Sequence, residues 1–214
     1  MKKHKGVWLP DSDTHFQPMM DKAGLRELSG RMVGVYQHDK MTAALAHVRQ
    51  FRTALDIGAH VGFWSMWLAD RFQSLHAFEP VALHAKCWRA NVTGPHAILH
   101  PCALGAEHGT TGFATNNENS GKAHIDGAGK VPVAPLDEFN FNEVDFIKID
   151  VEGFESAVID GGRDTLLRCR PVVIVESNGQ HKRYGLQDPV DLLQSMGATV
   201  IESLRHDVVM GWAC

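Results

Sequence analysis

The sequence predicts an α/β protein with a doubly wound, mostly parallel, seven-stranded sheet that ends in an antiparallel hairpin. Three observations predict it. From about residue 53 onward, apolar runs rich in β-formers alternate with helix-like segments, the rhythm of a layered α/β sheet. Several of these runs are almost continuously apolar, as parallel strands covered on both faces must be. The last two runs are separated only by Arg205-His206-Asp207, too short a gap for a helical crossover, so they pair antiparallel.

In chain order the expected strands are residues 53–57, 75–78, 97–99, 145–149 and 171–175, with 199–204 and 208–212 as the hairpin. Between them, Leu83, Cys87 and Ala90 recur at helical spacing, and so do Val190, Leu193 and Met196. Met41, Ala44, Leu45, Val48 and Phe51 predict an amphipathic helix leading into the first strand. Residues 1–52 are read as an N-terminal cap or lid and residues 53–214 as the main domain. The basic start, Lys2-Lys3-His4-Lys5, is expected to fray into solvent. The Gly-, Asn- and Thr-rich stretch 105–135 is expected to form a loop or short hairpin near the site. Trp64, Trp67 and Trp88 are expected to pack in the core.

A chain of 214 residues suits one well-buried domain. With 44% hydrophobic and 21% charged residues it has the composition of a globular protein. Its net charge of −4 argues against a surface built to grip phosphate backbones, so nucleic acid is not the expected partner. No apolar run reaches the roughly 20 residues that span a bilayer, and the N-terminus lacks the apolar stretch of a secretory signal. Cys87, Cys102, Cys169 and Cys214 are scattered, without zinc spacing, and are read as reduced thiols of a cytoplasmic protein.

The strongest chemical signal is Asp56-Ile57-Gly58-Ala59-His60-Val61-Gly62, a strand, a glycine turn and the start of a helix. The glycines are expected to let the backbone approach a ligand at the carboxyl edge of the sheet, where a side chain at Gly58 would fill the ligand's space. His60 stands where a dinucleotide fingerprint would need its second glycine, which disfavours pyrophosphate. Asp56 can compensate a cationic ligand or hold the turn through hydrogen bonds. About 20 residues on, Phe78-Glu79-Pro80 ends the second strand with an acid able to accept ribose hydroxyls, and Pro80 stops the strand. The fourth strand runs into Asp150-Val151-Glu152-Gly153, so both carboxylates are candidates for substrate orientation or general-base chemistry. Glu176-Ser177-Asn178 and His181 follow the fifth strand and could add a base or an oxygen-rich metal site. Pro101-Cys102 does not follow the strand that a cysteine nucleophile of this architecture requires.

These motifs resemble the FkbM-type methyltransferase family within the class I, Rossmann-like S-adenosylmethionine-dependent enzymes. Ala103-Leu104-Gly105, Asn119-Ser120-Gly121, Leu136-Asp137 and above all Lys148-Ile149-Asp150-Val151-Glu152-Gly153 carry the resemblance, over about residues 53–177. Methyltransferase sheets characteristically end in an antiparallel hairpin. The resemblance implies that Asp56, Gly58 and Gly62, with Ala59 and His60 in the same turn, hold the methionine end of S-adenosyl-L-methionine. Glu79 and Pro80 would meet the ribose, with Ala103 and Leu104 lining the adenine. It implies transfer to oxygen, usually a hydroxyl on a sugar or small natural product, by direct in-line displacement. His60 departs from the asparagine the family often carries there.

Asp150 is the expected base, with Glu152 and His181 as further catalytic candidates. A magnesium ion among these side chains is allowed by the pattern without being favoured. The alternatives are a nicotinamide-dependent oxidoreductase and a cofactor-binding, non-catalytic partner protein. The expected partner is a small-molecule or glycan acceptor, with no membrane; the acceptor's identity and the oligomeric state are not encoded in any motif.

Overall fold

The computed structural model describes residues 1–114, 119–127 and 129–213. Numbered along the chain, the central strands are β1 (Thr53–Ile57), β2 (Ser74–Phe78), β3 (Ala97–His100), β4 (Val144–Ile149), β5 (Val172–Glu176), β6 (Ala198–Leu204) and β7 (Asp207–Trp212). Their order across the sheet is β6-β7-β5-β4-β1-β2-β3. All neighbours pair in parallel except β7, which is antiparallel to both β5 and β6. The expected doubly wound sheet with a closing hairpin is the observed one.

Both faces of the sheet are covered, which explains the continuous apolar strands. Within β1, Ala54 joins one apolar cluster and Leu55 and Ile57 the other; within β5, Ile174 faces one side while Val173 and Val175 face the other. The helices are α1 (Phe16–Ala23), α2 (His38–Leu45), α3 (Ser65–Arg71), α4 (Ala82–Asn91), α5 (Glu155–Asp160), α6 (Arg163–Cys169) and α7 (Pro189–Ser195). The start of α7 is written in the sequence: Pro189 opens it, and the Asp188 carboxylate accepts the Val190 N–H at 2.9 Å.

Three local expectations change. The helix expected to continue to Phe51 stops at Leu45. There the Ala46 N–H is shared between the Thr42 and Ala43 carbonyls, which tightens the last turn. Phe51 instead packs on Phe72, with ring centroids 5.0 Å apart. On α4 the buried face is His84, Ala85, Cys87, Trp88 and Asn91, while Leu83 is 44% exposed. Periodicity of apolar residues misses this face because it is partly polar: Trp88 donates to Ser65 Oγ at 2.7 Å, and Asn91 exchanges hydrogen bonds with the backbone of Trp8 at 2.7 and 2.9 Å. The basic start is not frayed, since Lys2–His4 pairs with Val7–Leu9 in a hairpin.

The N-terminal segment builds two hairpins, Lys2–His4 with Val7–Leu9 and Leu25–Leu28 with Arg31–Gly34, around α1. Its buried residues, among them Val7, Leu9, Phe16 and Met20, belong to the same cluster as Trp64, Trp67, Trp88 and Phe146. Stretch 105–135 contributes Gly109–Thr111 and Val131–Ala134, which pair with each other, and Phe113–Ala114, which pairs with His124–Ile125. Residues 115–118 and 128 of that stretch, and Cys214, lie outside the described residues. Cys87, Cys102 and Cys169 are free thiols. Among the described residues no helix is long and apolar enough to cross a membrane.

On the outer strands, His76 and His100 share a hydrogen bond of 3.0 Å inside an aromatic stack with Phe78, Phe139 and Phe141. Burial, with the neighbouring His100, lowers the His76 pKa to about 4. The folded state therefore binds fewer protons at this ring than the unfolded chain between pH 6.5 and 4. The stability it contributes is complete above 6.5 and is lost as pH falls through that window. We expect His76→Gln to flatten the acid limb of the melting curve, with a difference from wild type of about 1 kcal/mol at pH 5, allowing for solvent at the ring. Parallel melting temperatures for both proteins from pH 7 to 5 would remove His76 from the acid response.

Candidate active site

The site is assembled at the carboxyl ends of β1, β2, β4 and β5. The turn after β1 is held from three directions. The Gly58 and Ala59 N–H groups both donate to the Phe78 carbonyl at 3.1 Å, tying the turn to β2. Glu79 Oε2 accepts the His60 N–H at 2.8 Å, while Oε1 accepts the Val81 N–H at 2.8 Å. From β4, Lys148 Nζ donates to the Gly58 carbonyl at 2.7 Å.

The glycines serve this construction more directly than a ligand. Gly58 has φ +76°, and a Cβ there would lie 1.9 Å from the Asp150 carbonyl oxygen. The space that the sequence suggested was reserved for a ligand is filled by the backbone of the adjacent strand. Gly62 has φ +93°, and its Cβ would press on Val92 and Trp88 at 2.9 and 3.1 Å, so it lets the start of α3 approach α4. It lines neither part of the cleft described below. His60 has φ +50°, in the left-handed region that histidine, like asparagine and aspartate, enters more readily than most side chains.

Two adjoining lobes open above this frame. The first, about 600 Å³ and partly open to solvent, is lined by Gly58, His60, Glu79, Pro80, Ala103 and Leu104, all expected from sequence. Phe113, Ser120 and Ile125 close it from the 105–135 stretch. Cys102 also borders it, but burial raises its thiol pKa, which opposes a nucleophilic thiolate. The second lobe, about 590 Å³, shares Gly58, His60, Asp150 and Glu152 with the first and adds Asp56 and Ala59. Its outer wall comes from the N-terminal segment: Phe16, Tyr36 and Gln37. Tyr36 and Gln37 are fixed by Gln37 itself, whose amide donates to the Tyr36 hydroxyl at 3.2 Å and accepts from Trp64 Nε1 at 2.9 Å.

The second lobe is acidic. Asp56, Asp150, Glu152 and Glu176 border it, with Lys148 as the cation among them. Lys148 Nζ lies 3.5 Å from Asp56 Oδ1 and 3.7 Å from Asp150 Oδ2. Burial works to lower the lysine pKa, but Asp150, Asp56 and Glu79 outweigh it and hold Lys148 above its ordinary value, so it stays charged. Asp56 is fully buried and accepts a 2.5 Å hydrogen bond from Ser65; burial raises its pKa against the pull of Lys148 and Ser65. Its hydrogen bond reaches the first residue of α3, while its Oδ1 faces Lys148 and has no hydrogen-bond partner among the described residues.

A buried chain of side chains joins the N-terminal segment to the turn. Asp13, with no exposed surface, accepts from the Ser120 N–H and hydroxyl at 2.9 and 2.5 Å and from the His15 and Phe16 N–H groups at 3.1 Å. Ser120 Oγ lies 2.8 Å from His60 Nε2. Because that hydroxyl donates to Asp13, the ring must donate to it, which places the proton of neutral His60 on Nε2. Burial, with His84 and Lys148 nearby, lowers the His60 pKa well below the ordinary value and keeps the ring neutral.

Of the expected catalytic candidates, Asp150 and Glu152 reach both lobes and His181 reaches neither. His181 is buried in the short helix Gln180–Tyr184, with Nδ1 3.7 Å from Asp188. The chain turns away after β5, so nearness in sequence to Glu176 does not carry His181 into the cleft. Among the described residues no three His, Cys, Asp or Glu side chains are arranged to hold a metal ion. Sequence reasoning gave Lys148 no role, although it lies in the run that carries the family resemblance, and passed over Tyr36 and Asp13, whose segment shows no readable pattern.

The family described as Methyltransferase FkbM domain matches residues 56–205. No curated protein matches the chain. Among solved structures, the fibrillarin pre-rRNA processing protein of Methanococcus jannaschii superposes with a TM-score of 0.50 and 10% identity, covering 90% of this chain and 83% of that one. The precorrin 8W decarboxylase of Methanobacterium thermoautotrophicum gives 0.50 and 14%, covering 81% and 87%. Methyltransferase FkbM from Methylobacillus flagellatus KT gives 0.49 and 16% over 78% of this chain, which spans only 45% of that protein. At these identities the likeness is one of fold.

Proposed function

Because the chain belongs to the FkbM methyltransferase family, we propose that it is an S-adenosylmethionine-dependent O-methyltransferase whose acceptor is a hydroxyl on a sugar or other small molecule. The observation that carries this reading is the pair of adjoining lobes at the carboxyl edge of the sheet, one largely apolar and one acidic. The cofactor's two ends make matching demands. Adenosine suits the first lobe, where Ala103, Leu104 and Phe113 offer apolar walls and the lone pairs Glu79 retains can accept ribose hydroxyls. The cationic sulfonium end suits the second, where four carboxyl groups face one lysine. Asp150 and Glu152, present in both lobes, would lie where the two ends meet.

When bound, the cofactor supplies a methyl group already activated for in-line displacement, so the chain's own task is chiefly alignment and proton removal. Lys148, Glu79 and Phe78 hold the glycine turn rigid beneath the ligand. Phe16, Tyr36 and Gln37 enclose the acceptor side and exclude water. The acidic lining supports a neutral acceptor over a phosphate-bearing one and so favours a small molecule or glycan over nucleic acid.

Calorimetric titration tests the class directly. S-adenosylmethionine is expected to bind with a dissociation constant on the order of micromolar, and NADH not to bind. Folded protein, free of carried-over ligand, that ignores S-adenosylmethionine would overturn the proposal; binding of NADH in its place would point to an oxidoreductase.

A further inference from the structure

We propose that Glu176, and not Asp150, is the base that takes the proton from the acceptor hydroxyl. The inference rests on the methyl-transfer reading and adds a residue that the family match does not assign. Elimination around the second lobe leads to it. Lys148 is charged, donates to the Ile57 and Gly58 carbonyls and forms ion pairs with Asp56 and Asp150. The Tyr36 phenol is held protonated, because burial and the charges of Asp150, Asp207 and Glu176 all raise its pKa. Asp150 Oδ2 is paired with Lys148 Nζ at 3.7 Å. Glu152 Oε2 accepts from the Gln180 amide at 2.9 Å. His60 Nε2 is committed to Ser120, and His181 is outside the cleft.

Asp56 Oδ1 also lacks a hydrogen-bond partner among the described residues, but Asp56 has no exposed surface, its other oxygen holds the Ser65 hydroxyl and Lys148 lies 3.5 Å away. Glu176 differs from all of these. It ends β5 at the wall of the lobe, and its Oε2 is buried without a hydrogen-bond partner among the described residues. An ionised oxygen in that position lacks a stabilising donor, which makes it a strong base. The groups around it are acidic on nearly every side: Asp150 and Glu152 after β4, Glu155 at the start of α5, and Asp207 on β7, itself paired with Lys40 of α2. The nearest cation of β4, Lys148, is shared between Asp56 and Asp150. Burial first and these acids second raise its pKa to about 8, close to the value at which a base has both a useful ionised fraction and high proton affinity. In the step itself the acceptor oxygen forms its bond to the methyl carbon as the sulfur–methyl bond breaks. That bond's electron pair stays on sulfur, and the hydroxyl proton passes to Glu176.

A carboxyl group facing the sulfonium must ionise more readily once that cation arrives, so cofactor binding and proton release are linked. We would titrate wild type, Glu176→Gln and Asp150→Asn with S-adenosylmethionine and with S-adenosylhomocysteine, which lacks the positive sulfur, from pH 6.5 to 9. Titrations in buffers of different ionisation heat count the protons released. Wild-type affinity for S-adenosylmethionine should rise about tenfold more across pH 8 than that of Glu176→Gln, equivalent to a pKa shift of about one unit. For S-adenosylhomocysteine the two proteins should differ less than twofold. Asp150→Asn should retain a pH response of similar size with its midpoint moved to lower pH, because the Asp150 charge is one cause of the raised Glu176 pKa. With any member of a panel of neutral monosaccharides that wild type methylates, Glu176→Gln should lose roughly 10²–10⁴-fold in kcat, while KM for S-adenosylmethionine should rise by no more than the roughly tenfold that the lost charge accounts for. An unaltered pH response or unaltered turnover in Glu176→Gln, or loss of the pH response in Asp150→Asn, would overturn the assignment. Absence of S-adenosylmethionine binding in wild type would instead defeat the methyl-transfer reading beneath it. Melting curves of the variants separate misfolding from either result.

Discussion

Lys148→Met is expected to destabilise the protein by about 3–5 kcal/mol, the usual consequence of removing one partner from a buried ion pair. Asp56 has no exposed surface, and without the ammonium 3.5 Å away its carboxyl group would retain only the Ser65 hydroxyl. The Gly58 carbonyl would lose its donor at the same time. For a chain of this size the melting temperature should fall by roughly 6–20 °C. If the loss comes from the stranded acid, the double variant Lys148→Met/Asp56→Asn should recover part of it, because a neutral amide costs less to bury than an unpaired carboxylate. A melting temperature within a degree or two of wild type for the single variant would show that the pair contributes little.

Gly58→Ala is expected to cost about 3 kcal/mol or more and to abolish cofactor binding with it. A methyl group at this position would lie 1.9 Å from the Asp150 carbonyl oxygen. Relieving that overlap means parting β1 from β4 where the Asp150 N–H donates to the Ile57 carbonyl at 3.1 Å. The left-handed φ of +76° adds about 1–2 kcal/mol for any residue with a Cβ. Gly30→Ala is the matching control: its φ is +78°, but nothing lies within 4 Å of the added carbon, so it carries the strain alone. Thermal unfolding should place Gly58→Ala well below Gly30→Ala. Equal melting temperatures would mean that the close approach of the strands yields easily.

The same position shows how far local sequence could be read. The strand–glycine–helix pattern located the turn, and the spacing to Glu79 and Asp150 located its neighbours; all of them border the cleft. What the pattern did not contain was which group occupies the space beside Gly58. From sequence a ligand and a neighbouring carbonyl are equivalent reasons for a missing side chain. Gly62 makes the same point, since its neighbours are Val92 and Trp88.

The sequence by itself determined the sheet, its hairpin ending and the family, because these depend on features that repeat locally. Continuous apolar strands report burial on both faces, a gap too short for a helix forces an antiparallel turn, and motifs at strand ends fall on one edge of a parallel sheet. Only the tertiary structure decided which side chains meet. Asp13 bonds Ser120 across 107 positions, and His60 bonds Ser120 across 60. Tyr36 closes a lobe whose floor is more than 100 residues away in Lys148 and Glu176. His181, only five positions after Glu176, is turned out of the cleft. Such meetings follow from how separate elements pack and which polar groups that packing leaves buried, and a run of residues records neither.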